Sequence, residues 1–206
     1  MTIQSQVLEA PARRQAALRY RPEEYLALEE KAEYKSEYID GEIAPMTGGL
    51  INHNRIVRNV LNLLTAAIDS TECEALGSDM RLWLPEYNVF TYPDITVICG
   101  EPLFYPGRTD TITNPILIVE VLSSSTEDYD RGTKFQRYRS LPTLQNYVLI
   151  HQDSARFEHY RRMRDGGWLL METKGLEAVL EIPGLEIKLP LARVYERVDW
   201  SMVDGG

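Results

Sequence analysis

The sequence is poor in cysteine and contains no long apolar run. Its two cysteines, Cys73 and Cys99, lie far apart and lack a Cys-x-x-Cys partner, which leaves no sign of a paired-cysteine metal or redox motif. We expect both thiols to be reduced and buried, as is usual in the cytoplasm. No apolar stretch approaches the roughly 18 to 20 residues that cross a bilayer, and the N-terminus lacks the apolar centre of a secretory signal. These absences predict a cytoplasmic protein with no membrane segment.

Positive charge is also scarce. The chain has 22 lysines and arginines against 31 aspartates and glutamates, a formal net charge of −9 at pH 7. That balance argues against strong nonspecific binding to a phosphate backbone. The exception is the segment 131–164, which holds eight basic residues and two acidic ones. Solvated surfaces explain such a cluster as well as a binding face does, because only the fold can bring its members together.

Length and composition indicate one folded unit. The 206 residues are 44% hydrophobic, enough for a sizeable core, and no linker-like stretch divides them. We predict a flexible N-terminal arm over residues 1–21 and a single domain over residues 22–206.

The pattern of apolar residues predicts both strands and helices. Asp40-Gly41 between two short β-rich runs is typical of a hairpin, and residues 51–68 have the three-and-four spacing of an amphipathic helix. Residues 116–122 are an almost unbroken aliphatic run, which indicates a strand buried on both faces. A helix from Thr126 to about Ser140 and a strand over 146–150 follow. This order predicts an α/β (α+β) fold, a mixed central β-sheet flanked by helices, with a right-handed β-α-β crossover.

One residue in the buried strand is anomalous. Glu120 is an ionisable group in an aliphatic run, and burying it is costly unless it is paired or binds a metal. Asp94, after Pro93, stands beside the start of another apolar strand, so the two carboxylates could meet on neighbouring strands. Lys134 lies roughly 12 Å along the following helix at about 1.5 Å per residue, and its long side chain could reach them.

These residues, in this order, resemble a known family. The likeness is to the family of putative restriction endonucleases abundant in cyanobacteria, within the PD-(D/E)XK nuclease superfamily, and it spans roughly residues 22–160. It rests on Pro93-Asp94, Glu120 to Ser123, Asp128, Asp130, Lys134, Tyr138 and Asn146-Tyr147, with Tyr38 to Glu42 and His53 upstream. The superfamily's usual lysine, two residues after the strand acid, is Leu122 here, so Lys134 would be a migrated lysine.

The resemblance implies a restriction-endonuclease-like core and a metal-dependent endonuclease that hydrolyses DNA phosphodiester bonds with a metal-activated water. Asp94 and Glu120 would bind Mg²⁺ or Mn²⁺ together with the carbonyl of Val121, since these cations prefer oxygen ligands. Lys134 would orient the water or stabilise developing negative charge. Glu37, just before the hairpin, could add a further acid.

Other interpretations stay open at this point. Asp94 could cap a turn, and Glu120 could form a structural salt bridge with Lys134. The fold could also serve a catalytically silent nucleic-acid-binding or interaction protein, because fold does not establish function. We interpret His53 as a helix cap or a half-buried polar group, Asp130 as a first-turn acid and Tyr138 as a packing residue. A homodimer is expected from the habit of nucleases rather than from any residue.

Overall fold

A computed structural model describes residues 18–123 and 126–202, so most of the predicted N-terminal arm, residues 1–17, lies outside the described residues. Within the described ranges, no helix is both long and apolar enough to cross a bilayer. The described residues form five α-helices: α1 (Pro22–Glu29), α2 (Ile51–Ile68), α3 (Glu127–Tyr129), α4 (Phe135–Tyr138) and α5 (Leu191–Val194).

Strands outnumber helices and form three sheets. They are β1 (Ser36–Ile39), β2 (Glu42–Pro45), β3 (Cys73–Gly77), β4 (Arg81–Leu84), β5 (Val89–Thr91), β6 (Ile95–Cys99), β7 (Thr111–Ile112), β8 (Leu117–Leu122), β9 (Asn146–His151), β10 (Arg156–Arg162), β11 (Trp168–Lys174), β12 (Val179–Ile182) and β13 (Ile187–Pro190). The six-stranded sheet has the order β11-β10-β9-β8-β6-β3, the five-stranded sheet β2-β1-β5-β4-β7, and β12 pairs with β13. In the largest sheet β8 runs parallel to β9 and antiparallel to β6. The predicted mixed sheet and α+β class are confirmed.

The predicted hairpin joins β1 to β2. Asp40 and Gly41 adopt positive φ values of 44° and 97°, as a two-residue turn matched to strand twist requires. β1 also pairs with β5, with Tyr38 opposite Phe90. This pairing carries Glu37 toward the strand that precedes Asp94.

β8 is the centre of the fold, and all six of its residues are buried. Its odd-numbered residues pack with α2 in one apolar cluster. Its apolar even-numbered residues, Ile118 and Leu122, pack with Tyr138 and Tyr147 in a second cluster on the opposite face. Because side chains alternate along a strand, Glu120 points into that second layer, under the crossover helices.

The crossover from β8 to β9 is helical, as predicted, but it is not a regular α-helix. A π-helical turn, Asp130–Lys134, separates α3 from α4. Such turns carry an i to i+5 hydrogen-bond pattern and are frequent at functional sites. Asp130 and Lys134 are both buried in it. Residues 124 and 125, at the predicted start of the helix, lie outside the described residues.

The prediction of two reduced, buried cysteines is wrong. Cys73 and Cys99 form a disulfide, and both residues are only half-buried. The cause is the antiparallel register of β3 and β6, which sets Cys73 directly opposite Cys99. Sequence distance alone gave no sign of that pairing.

Candidate active site

The two predicted acids lie side by side on neighbouring strands. Asp94 immediately precedes β6, whose Ile95 pairs with Val119 of β8. The Val121 N–H donates a hydrogen bond to Asp94 Oδ2 at 2.8 Å, and the Asp94 N–H points at Glu120 Oε2 at 3.4 Å. A backbone N–H beside each acid therefore faces the carboxylate of the other, which ties the two acids to the two strands.

Lys134 reaches Glu120 from the π turn. Its Nζ lies 2.8 Å from Glu120 Oε1 and 3.4 Å from Asp130 Oδ1. The Lys134 side chain is 11% exposed and that of Glu120 5%. Charges paired at this depth interact strongly because little water screens them. The structure thus brings Asp94, Glu120 and Lys134 together, although this contact alone fits a structural ion pair as well as a catalytic lysine.

Tyr138 is part of this cluster, which the sequence interpretation missed. The ring is fully buried and packs against the sheet as expected, but its hydroxyl donates to Glu120 Oε1 at 2.7 Å. The hydroxyl of Tyr147 donates to the Asp130 carbonyl at 3.0 Å, at the start of the π turn. The signal in the sequence was the spacing of four residues between Lys134 and Tyr138, which sets both on one helix face.

His53 contacts the other acid. Of its two interpretations the structure supports the half-buried polar group, with a side chain 18% exposed, and not the helix cap. Its Nε2 lies 3.2 Å from Asp94 Oδ2, and α2 begins at Ile51 with no side-chain cap bond from Leu50. Burial opposes a charged imidazole, but the hydrogen bond and the charge of Asp94 outweigh it and raise the pKa of His53. Asp130 likewise was more than a first-turn acid, since its carboxylate contacts Lys134.

Glu37 lies at the margin of the cluster. Its carboxylate accepts hydrogen bonds from the Thr91 hydroxyl and from the Tyr129 hydroxyl at 3.5 Å. Its charge contributes to the electrostatic environment of Lys134, but its hydrogen bonds go to neither Asp94 nor Glu120.

The electrostatics of the cluster are dominated by excess buried negative charge. Burial, and then the charges of Asp94 and Asp130, raise the pKa of Glu120 to about 8 against the opposing effect of Lys134. Burial also raises the pKa of Asp130. Burial would lower the pKa of Lys134, yet the surrounding carboxylates raise it well above its usual value. The negative charges of Glu120, Asp130 and Glu37 thus act on the single ammonium of Lys134.

This donor set fits a divalent cation of the magnesium type. Among residues 18–123 and 126–202, no cluster of three or more histidine, cysteine, aspartate and glutamate side chains has the arrangement of a complete metal site. Mg²⁺, however, is commonly held by one or two carboxylates and completes its shell with water and substrate oxygens. Asp94 and Glu120 supply two such carboxylates on rigid strands, and a cation would neutralise the excess charge that raises the pKa of Glu120.

Comparison with known proteins identifies the family. The family Uma2, described as "Putative restriction endonuclease", matches residues 22–192. The uncharacterized protein sll1609 of Synechocystis sp. is 45% identical over 164 residues, covering 80% of this chain and 93% of that protein. The uncharacterized protein slr1290 of the same organism is 37% identical over 174 residues, covering 84% and 90%.

A solved structure shares the fold. A protein from Anabaena variabilis, described as a putative nuclease belonging to DUF820, superposes with a TM-score of 0.68 at 19% identity, covering 84% of this chain and 96% of that one. At that identity the likeness concerns the fold alone, and it confirms the predicted nuclease-like core. With the family match over residues 22–192, the resemblance seen in the sequence is confirmed as well. The chain belongs to the Uma2 family of putative restriction endonucleases.

Proposed function

We propose that this chain is a metal-dependent endonuclease that hydrolyses DNA phosphodiester bonds through an activated water. The observation that carries the proposal is the convergence of Asp94, Glu120 and Lys134, with Nζ of Lys134 2.8 Å from Glu120 and the Val121 N–H holding Asp94. A structural ion pair needs only two of these groups. A nuclease of this family's kind needs all three.

Each residue has a distinct proposed role. A bound Mg²⁺ or Mn²⁺ supplies polarisation of the phosphate and a lowered pKa for the attacking water. Asp94 and Glu120 would hold the cation, with the Val121 carbonyl as a third oxygen. Lys134, anchored by Glu120 and Asp130, would offer its positive charge to the oxygens that become more negative as the bond breaks.

Tyr138 and His53 are proposed as positioning residues. The Tyr138 hydroxyl fixes one oxygen of Glu120, and the imidazole of His53 fixes one oxygen of Asp94. Partners of this kind orient metal-binding carboxylates and commonly change metal affinity or activity 10- to 100-fold when lost. Glu37 stays a candidate additional acid. The homodimer also stays a prediction.

A catalytically silent protein on the same fold is the second candidate. One observation favours it: Lys134 and Tyr138 both contact the same oxygen, Oε1 of Glu120. The buried carboxylate therefore has hydrogen-bond partners without a metal ion, as it would in a purely structural network. Such a protein would bind nucleic acid or another partner without cleaving it.

Nicking of supercoiled plasmid separates the two candidates. The wild-type protein is assayed with Mg²⁺ or Mn²⁺ and with EDTA, beside the variants Asp94→Ala, Glu120→Ala and Lys134→Ala. Asp128→Asn serves as the matched control, because Asp128 is an exposed acid on the same crossover. We expect metal-dependent nicking in the wild type and the control and its loss in the three alanine variants. Nicking that survives only in Lys134→Ala would remove the lysine from the mechanism, and no nicking with either metal would favour the silent protein.

A further inference from the structure

A groove lined by aromatic rings lies between the crossover helix and the edge of the large sheet. It has a volume of about 670 Å³, and we call it the aromatic groove. Phe135 forms the centre of its wall, with ring centroids 4.4 Å from Tyr160 and 5.2 Å from Trp168. The residues that line it are Glu86, Tyr87, Phe135, Gln136, Arg139, Ser140, Tyr160, Arg162, Gly166, Gly167, Trp168 and Leu170.

The groove opens on the same face of the sheet as the proposed catalytic carboxylate. Glu120, Leu149 and Glu158 lie in one row across β8, β9 and β10, and Tyr160 stands two residues further along β10. At about 4.8 Å between strands and 3.3 Å per residue, Glu120 and Tyr160 are roughly 12 Å apart. Phe135 directly follows Lys134, so the same crossover contributes both to the carboxylate cluster and to the wall of the groove.

Two arginines at the groove carry charge that no carboxylate balances. Within the part of the chain that the structure describes, neither Arg139 nor Arg162 forms an ion pair. Arg162 donates to the carbonyls of Arg139 and Leu141, and its guanidinium lies 4.8 Å from the centre of the Trp168 ring. Its Nε is buried without a hydrogen-bond partner, and burial lowers the pKa of Arg162.

Part of the charge in the rest of the basic segment is neutralised. Arg131 and Arg156 both pair with Glu158, which itself is buried. Arg137, Arg161 and Arg164 also form no ion pair among the described residues, but they do not line the groove. Arg139 and Arg162 are the unpaired arginines that do, and Glu86 is the one acid among the described lining residues.

We propose that the aromatic groove binds an unpaired nucleobase, with its phosphate near Arg139 and Arg162, on a strand that also enters the carboxylate cluster. The inference rests on the proposed nuclease function and narrows its substrate to nucleic acid with a single-stranded segment. Aromatic side chains and arginines accept bases by stacking, which only an unpaired base permits. The net charge of −9 weakens binding to duplex phosphates, whereas stacking does not depend on net charge.

A second copy of the chain fits the groove less well. Leu170 is 47% exposed and could take part in an apolar contact. In a two-fold symmetric dimer, however, equivalent surfaces meet, so the unpaired arginines of the two copies would approach each other. Nucleic acid instead brings the opposite charge.

The test is binding of a short fluorescein-labelled oligodeoxythymidylate, followed by anisotropy in EDTA so that no cleavage occurs, beside a duplex of equal length. We expect the wild type to prefer the single strand. Trp168→Ala should weaken binding about tenfold or more, the range for loss of one stacked base, and Trp168→Phe should restore most of it. Arg139→Ala should weaken binding and lower the salt dependence by about one phosphate contact.

Arg161→Ala is the matched control, since Arg161 is a neighbouring arginine on the opposite face of β10. Thermal melting establishes that each variant is folded. Equal affinities of Trp168→Ala, Arg161→Ala and wild type for the single strand would overturn the inference. So would a wild type that binds no single strand while Leu170→Asp converts a dimer to a monomer. If Trp168→Ala weakens binding but the wild type does not nick plasmid, the proposed nuclease activity is refuted and binding at the groove is not. If the wild type nicks plasmid but Trp168→Ala binds as the wild type does, binding at the groove is refuted and the nuclease activity is not.

Discussion

Replacing Glu120 by glutamine distinguishes two roles of this residue. As a metal ligand it would be a buried carboxylate whose ionised form destabilises the metal-free protein, whereas in a structural salt bridge with Lys134 its ionised form would stabilise the protein. In the folded state, burial and two nearby carboxylates raise the pKa of Glu120 to about 8 from its usual 4.5. The folded protein then keeps a proton that the unfolded chain releases above pH 4.5. Stability is therefore present below that pH and is lost as the pH rises toward 8.

The magnitude follows from the size of the shift. One pKa unit corresponds to about 1.4 kcal/mol, so the shift of Glu120 corresponds to on the order of 5 kcal/mol as an upper limit. Glutamine has nearly the same shape and no proton to lose. We expect Glu120→Gln and wild type to be equally stable near pH 4.5 and the variant to be more stable by several kcal/mol at pH 8. The measurement is urea unfolding in EDTA across that range.

Glu158 provides a control of opposite sign. It is as buried as Glu120 and lies on the same face, two strands away. Burial opposes its ionisation, but hydrogen bonds from Arg131 and His151 lower its pKa, so Glu158→Gln should be less stable than wild type at pH 8. If Glu120→Gln were also less stable than wild type at that pH, Glu120 would be an ionised structural partner of Lys134, and our reasoning about the cluster would be refuted.

Three further predictions concern other parts of the molecule. Tyr138→Phe removes the hydrogen bond to Glu120 and should lower the metal-dependent nicking rate 10- to 100-fold; an unchanged rate would leave Tyr138 a packing residue. Burial, and then Arg161, lower the pKa of His159 to about 4, so folding keeps this imidazole neutral and stability should fall by on the order of 3 kcal/mol between pH 6.5 and 4. The variant His159→Gln should not lose stability in this way. If urea unfolding gave the wild type and the variant the same change in free energy of unfolding between pH 6.5 and 4, the prediction would be contradicted. Reduction of the Cys73–Cys99 disulfide, which closes a loop of 26 residues, should cost up to about 3.5 kcal/mol, measured by unfolding with and without dithiothreitol; equal stabilities would contradict a formed disulfide.

The sequence was sufficient to predict the centre of the fold because that centre has a strong local signal. A short aliphatic run with one glutamate is typical of a buried strand that carries one paired or functional ionisable residue, and β8 has that form. The hairpin turn at Asp40-Gly41 and the helix over residues 51–68 were equally clear, since both depend on neighbouring residues alone.

The contacts around the acids could not be predicted in the same way. Asp130 faces Lys134 inside a π turn, and a sequence read with 3.6 residues per turn misplaces side chains there. His53 meets Asp94 only because α2 packs across the sheet. The disulfide depends on the register of β3 with β6, which is a long-range property. The catalytic roles of Asp94, Glu120 and Lys134 stay a prediction.

The most direct test of the central claim compares Mg²⁺-dependent nicking of supercoiled plasmid by wild type and by Glu120→Gln. This variant is the best choice because we expect it to be at least as stable as wild type, so that lost activity cannot come from unfolding. Nicking by wild type that requires Mg²⁺ and is lost in Glu120→Gln is the predicted result. Equal nicking by both proteins, or none by wild type with Mg²⁺ or Mn²⁺, would contradict a nuclease built on Asp94, Glu120 and Lys134.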